Sequence, residues 1–169
     1  MKIKQAALTL SSLLLCLNIV LAQDEKPNFS GIWKLDKEKS EMGTSEEGGR
    51  FRGGMFDSLV VEHKEPKLTI KRKIHLPSGE ERTVESKYTT DGESNTNEGF
   101  RGMTNKSKTR WEEEKLVTES TIETQMGIRE TKEVRSLSAD RKTMTIEMTT
   151  KGGQREGTRK LVFNKQESN

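Results

Sequence analysis

The sequence predicts an all-β protein: a single antiparallel up-and-down β-barrel of about ten strands behind a cleaved N-terminal signal peptide. Three observations lead there. Apolar and polar side chains alternate with period two along most of the chain, as in strands with one face in water. Tight-turn sequences such as Pro77-Ser78-Gly79, Asp91-Gly92 and Lys151-Gly152-Gly153 punctuate these runs at short intervals. Beyond the first 22 residues there is no apolar stripe of helical period, and the enrichment in Thr, Val and Ile favours strands joined directly to their neighbours.

Lys2 and Lys4 precede an apolar stretch from Ala6 to Leu21, and Val20-Leu21-Ala22 places small or aliphatic residues at the −3 and −1 positions of a cleavage site. This is the pattern of a secretory signal peptide cut after Ala22, so the protein is expected to be secreted or periplasmic. Thr9, Ser11, Ser12 and Asn18 interrupt the stretch, and a membrane span needs about 20 apolar residues, so no transmembrane anchor is expected. Cys16, the only cysteine, leaves with the leader, which removes disulfides, thiolate metal sites and cysteine nucleophiles from the mature chain. Losing Lys2 and Lys4 brings the net charge from +3 to +1. Acidic and basic residues are interleaved, as in Lys71-Arg72-Lys73 against Glu80-Glu81 and Glu112-Glu113-Glu114. With no unbalanced basic stripe to neutralise phosphates, nucleic acid is not an expected partner.

Residues 23–28 read as a polar leader and 29–169 as one domain. Phe29, Gly31, Trp33 and Leu35 share one side of a first strand. The Gly-rich segment 41–56, with Met42, Phe51, Met55 and Phe56, is long for a loop; it is read either as a lid over a ligand mouth or as an insertion without a partner. Leu59, Val61 and His63 alternate next. After a turn at Glu65-Pro66-Lys67, Leu68, Ile70, Ile74 and Leu76 oppose Lys67, Thr69, Lys71, Lys73 and His75. Val84, Ser86, Tyr88 and Thr90 follow on one face, and Asp91-Gly92 closes a hairpin. A short strand is expected near 95–100, and Gly99 to Met103 offers a second Gly/Met/Phe patch at the rim. Then come Thr109 with Trp111, the run Leu116, Thr118, Ser120 and Ile122, a strand over 128–137, the run Met144, Ile146 and Met148, and a last strand, Thr158–Lys165, carrying Leu161 and Phe163.

Apolar residues make up 29% of the 169, or 49, and 15 of them lie in the leader, leaving 34. Ten strands of about ten residues would turn roughly 50 positions inward by the period-two rule. Hydrocarbon alone cannot fill such a barrel. Ser, Thr and some charged groups must face inward, where they need partners or water. The expected result is a partly polar cavity of the kind in which barrels of this size hold ligands, the alternative being a flattened barrel with a small packed core.

Asn28-Phe29-Ser30-Gly31-Ile32-Trp33-Lys34-Leu35-Asp36, followed by Glu38-Lys39-Ser40, is similar to the opening of lipocalin-like and fatty-acid-binding-protein-like bacterial secreted domains. Asp91-Gly92, Trp111, Lys115-Leu116-Val117 and Leu137-Ser138-Ala139-Asp140 match the rhythm of the same domains over nearly the whole mature chain. The resemblance implies a calycin-type barrel and a small hydrophobic or amphipathic ligand. The Arg-x-Tyr carboxylate clamp near the end of intracellular fatty-acid-binding proteins is not reproduced, since Arg159 is followed by Lys160 and Leu161.

The candidate ligand-binding residues are Trp33, Arg72, Tyr88, Trp111 and Phe163. Trp33 beside Gly31 fits a plug at the closed end or a stacking surface for a ligand. Trp111 has the same two readings, and Tyr88 adds a hydroxyl. Arg72 falls in register with Leu68, Ile70, Ile74 and Leu76; an inward guanidinium suits a ligand carboxylate or an inward Glu. The alternation puts His63 inward and His75 outward, so no metal site is expected. No serine has a Gly-x-Ser-x-Gly context, and no catalytic residues or cofactors are expected. Asn28-Phe29-Ser30 and Asn105-Lys106-Ser107 match the glycosylation acceptor pattern. The leading expectation is a monomeric carrier for a small amphipathic molecule. The alternative is a protein-interaction or cell-envelope module that uses the barrel as scaffold.

Overall fold

The computed structural model describes residues 26–42, 56–75, 79–98, 102–125, 127–152 and 156–167. Ten strands run β1 Gly31–Leu35, β2 Phe56–Lys64, β3 Lys67–His75, β4 Glu81–Thr89, β5 Asp91–Glu98, β6 Thr104–Glu112, β7 Lys115–Thr124, β8 Gly127–Leu137, β9 Thr143–Lys151 and β10 Gly157–Gln166. They form one antiparallel sheet in the order β4-β3-β2-β1-β10-β9-β8-β7-β6-β5. Consecutive strands pair throughout except at one place, and one pairing joins the ends of the chain of strands. β1 pairs with β10 (Trp33 opposite Lys165), which rolls the sheet up. β4 and β5, the two ends of the order, meet without a backbone ladder.

Side chains close that last seam. The Lys87 N–H donates to Asn97 Oδ1 (2.7 Å), and Asn97 Nδ2 donates back to the Lys87 carbonyl (2.9 Å), so one amide side chain stands in for a missing rung. Asn95 Nδ2 adds a bond to Thr89 Oγ1 (3.1 Å). The sequence had Asp91-Gly92 closing a hairpin. The corner is turned there, but β5 slips its register against β6 between Asp91 and Ser94, a bulge that bends a strand and raises its twist. The strand expected near 95–100 therefore begins at Asp91.

Alternation decides what faces inward. In β3 Leu68 and Ile70 are buried while Lys67, Lys73 and His75 are exposed, and in β9 Met144 and Ile146 are buried. The core joins Trp33, Leu59, Leu68, Ile70, Leu116, Met144 and Phe163, with Phe56, Trp111 and Leu137 packed against it. Phe29 is fully buried but precedes β1, because its backbone groups go to side chains. Its N–H donates to His63 Nδ1 (3.2 Å), and its carbonyl accepts from Trp33 Nε1 (2.9 Å). Phe29 thus plugs one end of the barrel, the end carrying the turns at 65–66, 90, 113–114 and 138–142. The connections at the other end fall largely outside the described residues, as do most of segment 41–56, part of 99–103 and Leu76; Met42 and Phe56 pack on the core.

Candidate functional site

Beyond the plug the barrel holds a cavity of about 380 Å³ that is partly open to solvent, a volume suited to a small molecule, whose sites run about 300–1,000 Å³. Its apolar lining includes Phe56, Leu59, Ile70, Ile74, Ile146 and Met148. Ser86, Tyr88, Asn97, Asn105, Thr118 and Ser120 supply polar groups, Arg72, Glu133 and Arg135 supply charge on the inner wall, and exposed Arg82, Glu85 and Glu98 supply it where the cavity meets solvent. A larger depression of about 570 Å³ lies on the outer wall over β6–β9, among exposed Lys106, Lys108 and Lys132 and the carboxylates Glu119 and Glu130. Those charges balance one another in water, whereas Arg72, Glu133 and Arg135 are drawn into the interior, so the interior is the candidate site.

The charged cluster is asymmetric. Arg135, only 2% exposed, donates from Nη1 to Thr118 Oγ1 (2.9 Å) and from Nη2 to Glu133 Oε2 in a close ion pair. Arg72 donates from Nη1 to Ser86 Oγ (3.2 Å), and its guanidinium lies 5.7 Å from the centre of the Phe56 ring. Arg159 Nη2 sits 3.2 Å from Met148 Sδ. Burial acts to raise the pKa of Glu133, but Arg135, Arg72 and Arg159 outweigh it and hold the carboxyl below its ordinary range. Burial likewise disfavours the charge on Arg72, and Tyr88 and Glu133 outweigh it, raising that pKa. Glu133 thus feels three guanidinium groups, of which Arg72 and Arg135 line the cavity with it.

Of the residues singled out from sequence, Arg72 and Tyr88 line the cavity. Trp33, fully buried, belongs to the plug with Lys165 Nζ 5.3 Å from its ring centre. Phe163 is core, stacked on Phe56 at 6.1 Å and 3°. Trp111, half-buried, leans against Phe29 and His63 (6.1 and 6.0 Å) and donates from Nε1 to Glu65 Oε1 (2.9 Å). Trp33, Trp111 and Phe163 thus hold the closed end and the core beside the cavity, outside its lining. Asn105 of the second glycosylation-type triplet faces the interior. Among the described residues no group of three or more His, Cys, Asp and Glu side chains is arranged to hold a metal.

No family model matches the chain, and no curated protein matches it in sequence. Solved structures do. Secretory abundant heat soluble protein 4 from Ramazzottius varieornatus aligns over 85% of this chain and 97% of its own, with a TM-score of 0.59 at 16% identity. A REP1-NXSQ fatty acid transporter aligns over 83% and 97%, TM-score 0.57, at 10% identity. Zebrafish ileal bile acid-binding protein, solved with cholic acid, aligns over 82% and 98%, TM-score 0.54, at 17% identity. The fold is a calycin-type barrel. At these identities the likeness extends to the fold alone, so the use this calycin barrel makes of its interior rests on its own residues.

Sequence reading missed Glu133, Arg135, Arg159 and Glu65. Arg159 shares a face with Leu161 and Phe163 by the same alternation that placed them, so its signal was present. In β8 Arg129, Thr131, Glu133 and Arg135 alternate with Ile128, Glu130, Lys132 and Val134, two faces of similar polarity, and only pairing with β7 and β9 decides between them. Glu65 sits in a turn, where periodicity is silent. It accepts from His63 Nε2 and Trp111 Nε1, both at 2.9 Å, and from Thr90 Oγ1. Burial acts to raise its pKa; the three hydrogen bonds outweigh burial and lower it.

Proposed function

We propose that this protein is an exported, monomeric, non-enzymatic carrier that holds a small amphipathic anion inside its barrel. The observation that carries the proposal is the pair of inward guanidinium groups on the cavity wall: Arg72 and Arg135 both act on Glu133 and line the same space. Buried cations need counter-charge, and Arg presents a planar fork suited to carboxylate, sulfonate or phosphate. The apolar wall, with Leu59, Ile70, Ile74 and Met148, suits the hydrocarbon body of such a molecule. The names of two structural neighbours, a fatty acid transporter and a bile acid-binding protein, describe ligands of this chemistry and support the reading. Export is supported by the Lys2/Lys4 and Ala6-to-Leu21 pattern.

The test is competitive displacement of an environment-sensitive anionic dye, run with dodecanoate and with uncharged dodecanol. Arg72→Met should weaken dodecanoate about 10- to 100-fold, as expected from losing a hydrogen-bonded charge worth about 1.5–3 kcal/mol, and leave dodecanol unchanged. Dodecanol binding as well as dodecanoate to the unaltered protein overturns the proposal.

A further inference from the structure

The sheet order divides the interior into two contiguous halves. Strands β3, β2, β1, β10 and β9 turn mainly hydrocarbon inward: Ile70, Leu59, Trp33, Phe163 and Ile146 are each at most 3% exposed. Strands β8 to β5 turn inward a wall of hydroxyl, amide and charged groups over most of their length. Its rungs are polar pairs: Ser107 opposite Ser120, Thr109 opposite Thr118, Ser120 opposite Thr131. Thr109 and Thr118 satisfy one another (2.9 Å), but elsewhere the wall is short of partners. Asn105 Oδ1, Ser107 Oγ and Arg135 Nε are all buried without a hydrogen bond from the protein. Asn105 and Arg135 line the cavity, and Arg135 and Ser107 are 2% and 3% exposed.

A buried polar group left without a partner is costly relative to its bonded state, and natural interiors carry few of them. An occupant polar only at its head would satisfy the arginines and lay bare hydrocarbon along Asn105. We infer that the ligand is polar along one flank as well as at its anionic end: a hydrophobic anion carrying hydroxyl or carbonyl groups along its body, held between the hydrocarbon of β9 to β3 and the hydrogen-bonding wall of β5 to β8. This inference rests on the anionic-ligand reading and specifies what that ligand must display. It assigns Asn105 and Arg135, the two orphaned groups on the cavity wall, as the residues that choose between bodies of equal length.

Octadecanoate and threo-9,10-dihydroxyoctadecanoate share length and head group and differ only in mid-body hydroxyls. In a cavity walled by hydrocarbon throughout, the hydroxyls would lose water without recompense and weaken binding. Here isothermal titration should find the dihydroxy acid about tenfold tighter. The variant Asn105→Leu should abolish or invert that preference while retaining octadecanoate binding; its thermal melt reports that it folds, and the milder Asn105→Ala should halve the preference or more. Equal or weaker binding of the dihydroxy acid to the unaltered protein overturns this inference and leaves the anion reading standing. Failure of both acids to bind overturns the two together.

Discussion

Glu133→Gln tests the charged cluster most directly. The substitution keeps the shape of the side chain and deletes the carboxylate on which Arg135, Arg72 and Arg159 act. Removing one partner of a buried ion pair costs about 3–5 kcal/mol, because the remaining charge stays enclosed and uncompensated. Glutamine's carbonyl still accepts from Arg135, which puts the expected loss near the lower bound, about 3 kcal/mol. Urea unfolding followed by the fluorescence of Trp33 and Trp111 measures it: with a slope of about 1–3 kcal/mol per molar, the midpoint should fall by about 1–3 M. The second arm adds ligand. A bound anion replaces the missing charge, so saturating dodecanoate, which at a hundredfold excess over Kd stabilises a protein by about 2.7 kcal/mol, should raise the variant's midpoint more than that of the unaltered protein. A midpoint unchanged within error, or equal rescue of both proteins, would refute the view that Glu133 is the internal counter-charge of a cationic site.

Thr118→Val removes the partner of Thr109 and an acceptor for Arg135 Nη1, and chemical denaturation should show a loss of about 1–3 kcal/mol. Gly152 holds φ at +73°, and a Cβ there would stand 2.3 Å from the Ile128 carbonyl oxygen; Gly152→Ala should cost about 2 kcal/mol by the same measurement, since left-handed backbone and a backbone clash add. The pKa values of Glu65 and Glu133 are both lowered in the fold from an ordinary 4.5. The stability they contribute is therefore present above pH 4.5 and lost as pH falls through their lower folded values. Glu65→Gln should flatten the acid limb of the unfolding midpoint against pH while lowering the neutral plateau, and an unchanged acid limb would remove Glu65 from the account.

The barrel was legible because period two is a strong signal wherever one face is hydrocarbon. Leu68, Ile70, Ile74, Met144 and Ile146 fixed the facing of β3 and β9, and they carried Arg72 inward with them. The shortage of apolar residues pointed correctly to a partly polar interior. Where both faces are polar the signal vanishes, as in β8, so Glu133 and Arg135 emerged only from pairing across three strands. The aromatics misled for a different reason: Trp33, Trp111 and Phe163 face inward as expected, but facing inward says nothing of height along the barrel. Trp33 and Trp111 sit at the level of Phe29, whose backbone is bonded to side chains at the closed end.

The seam between β4 and β5 bears on how such a container admits anything at all. Nine junctions of the wall are stitched by repeated main-chain rungs, and releasing one means breaking a cooperative row. At the tenth, the Asn97 and Asn95 amides hold the edges together through bonds that a change of rotamer can undo. Breathing motions should therefore concentrate along this single line, where amide protons of Lys87 and its neighbours exchange with solvent ahead of those in β2 and β9, giving the barrel a built-in zip.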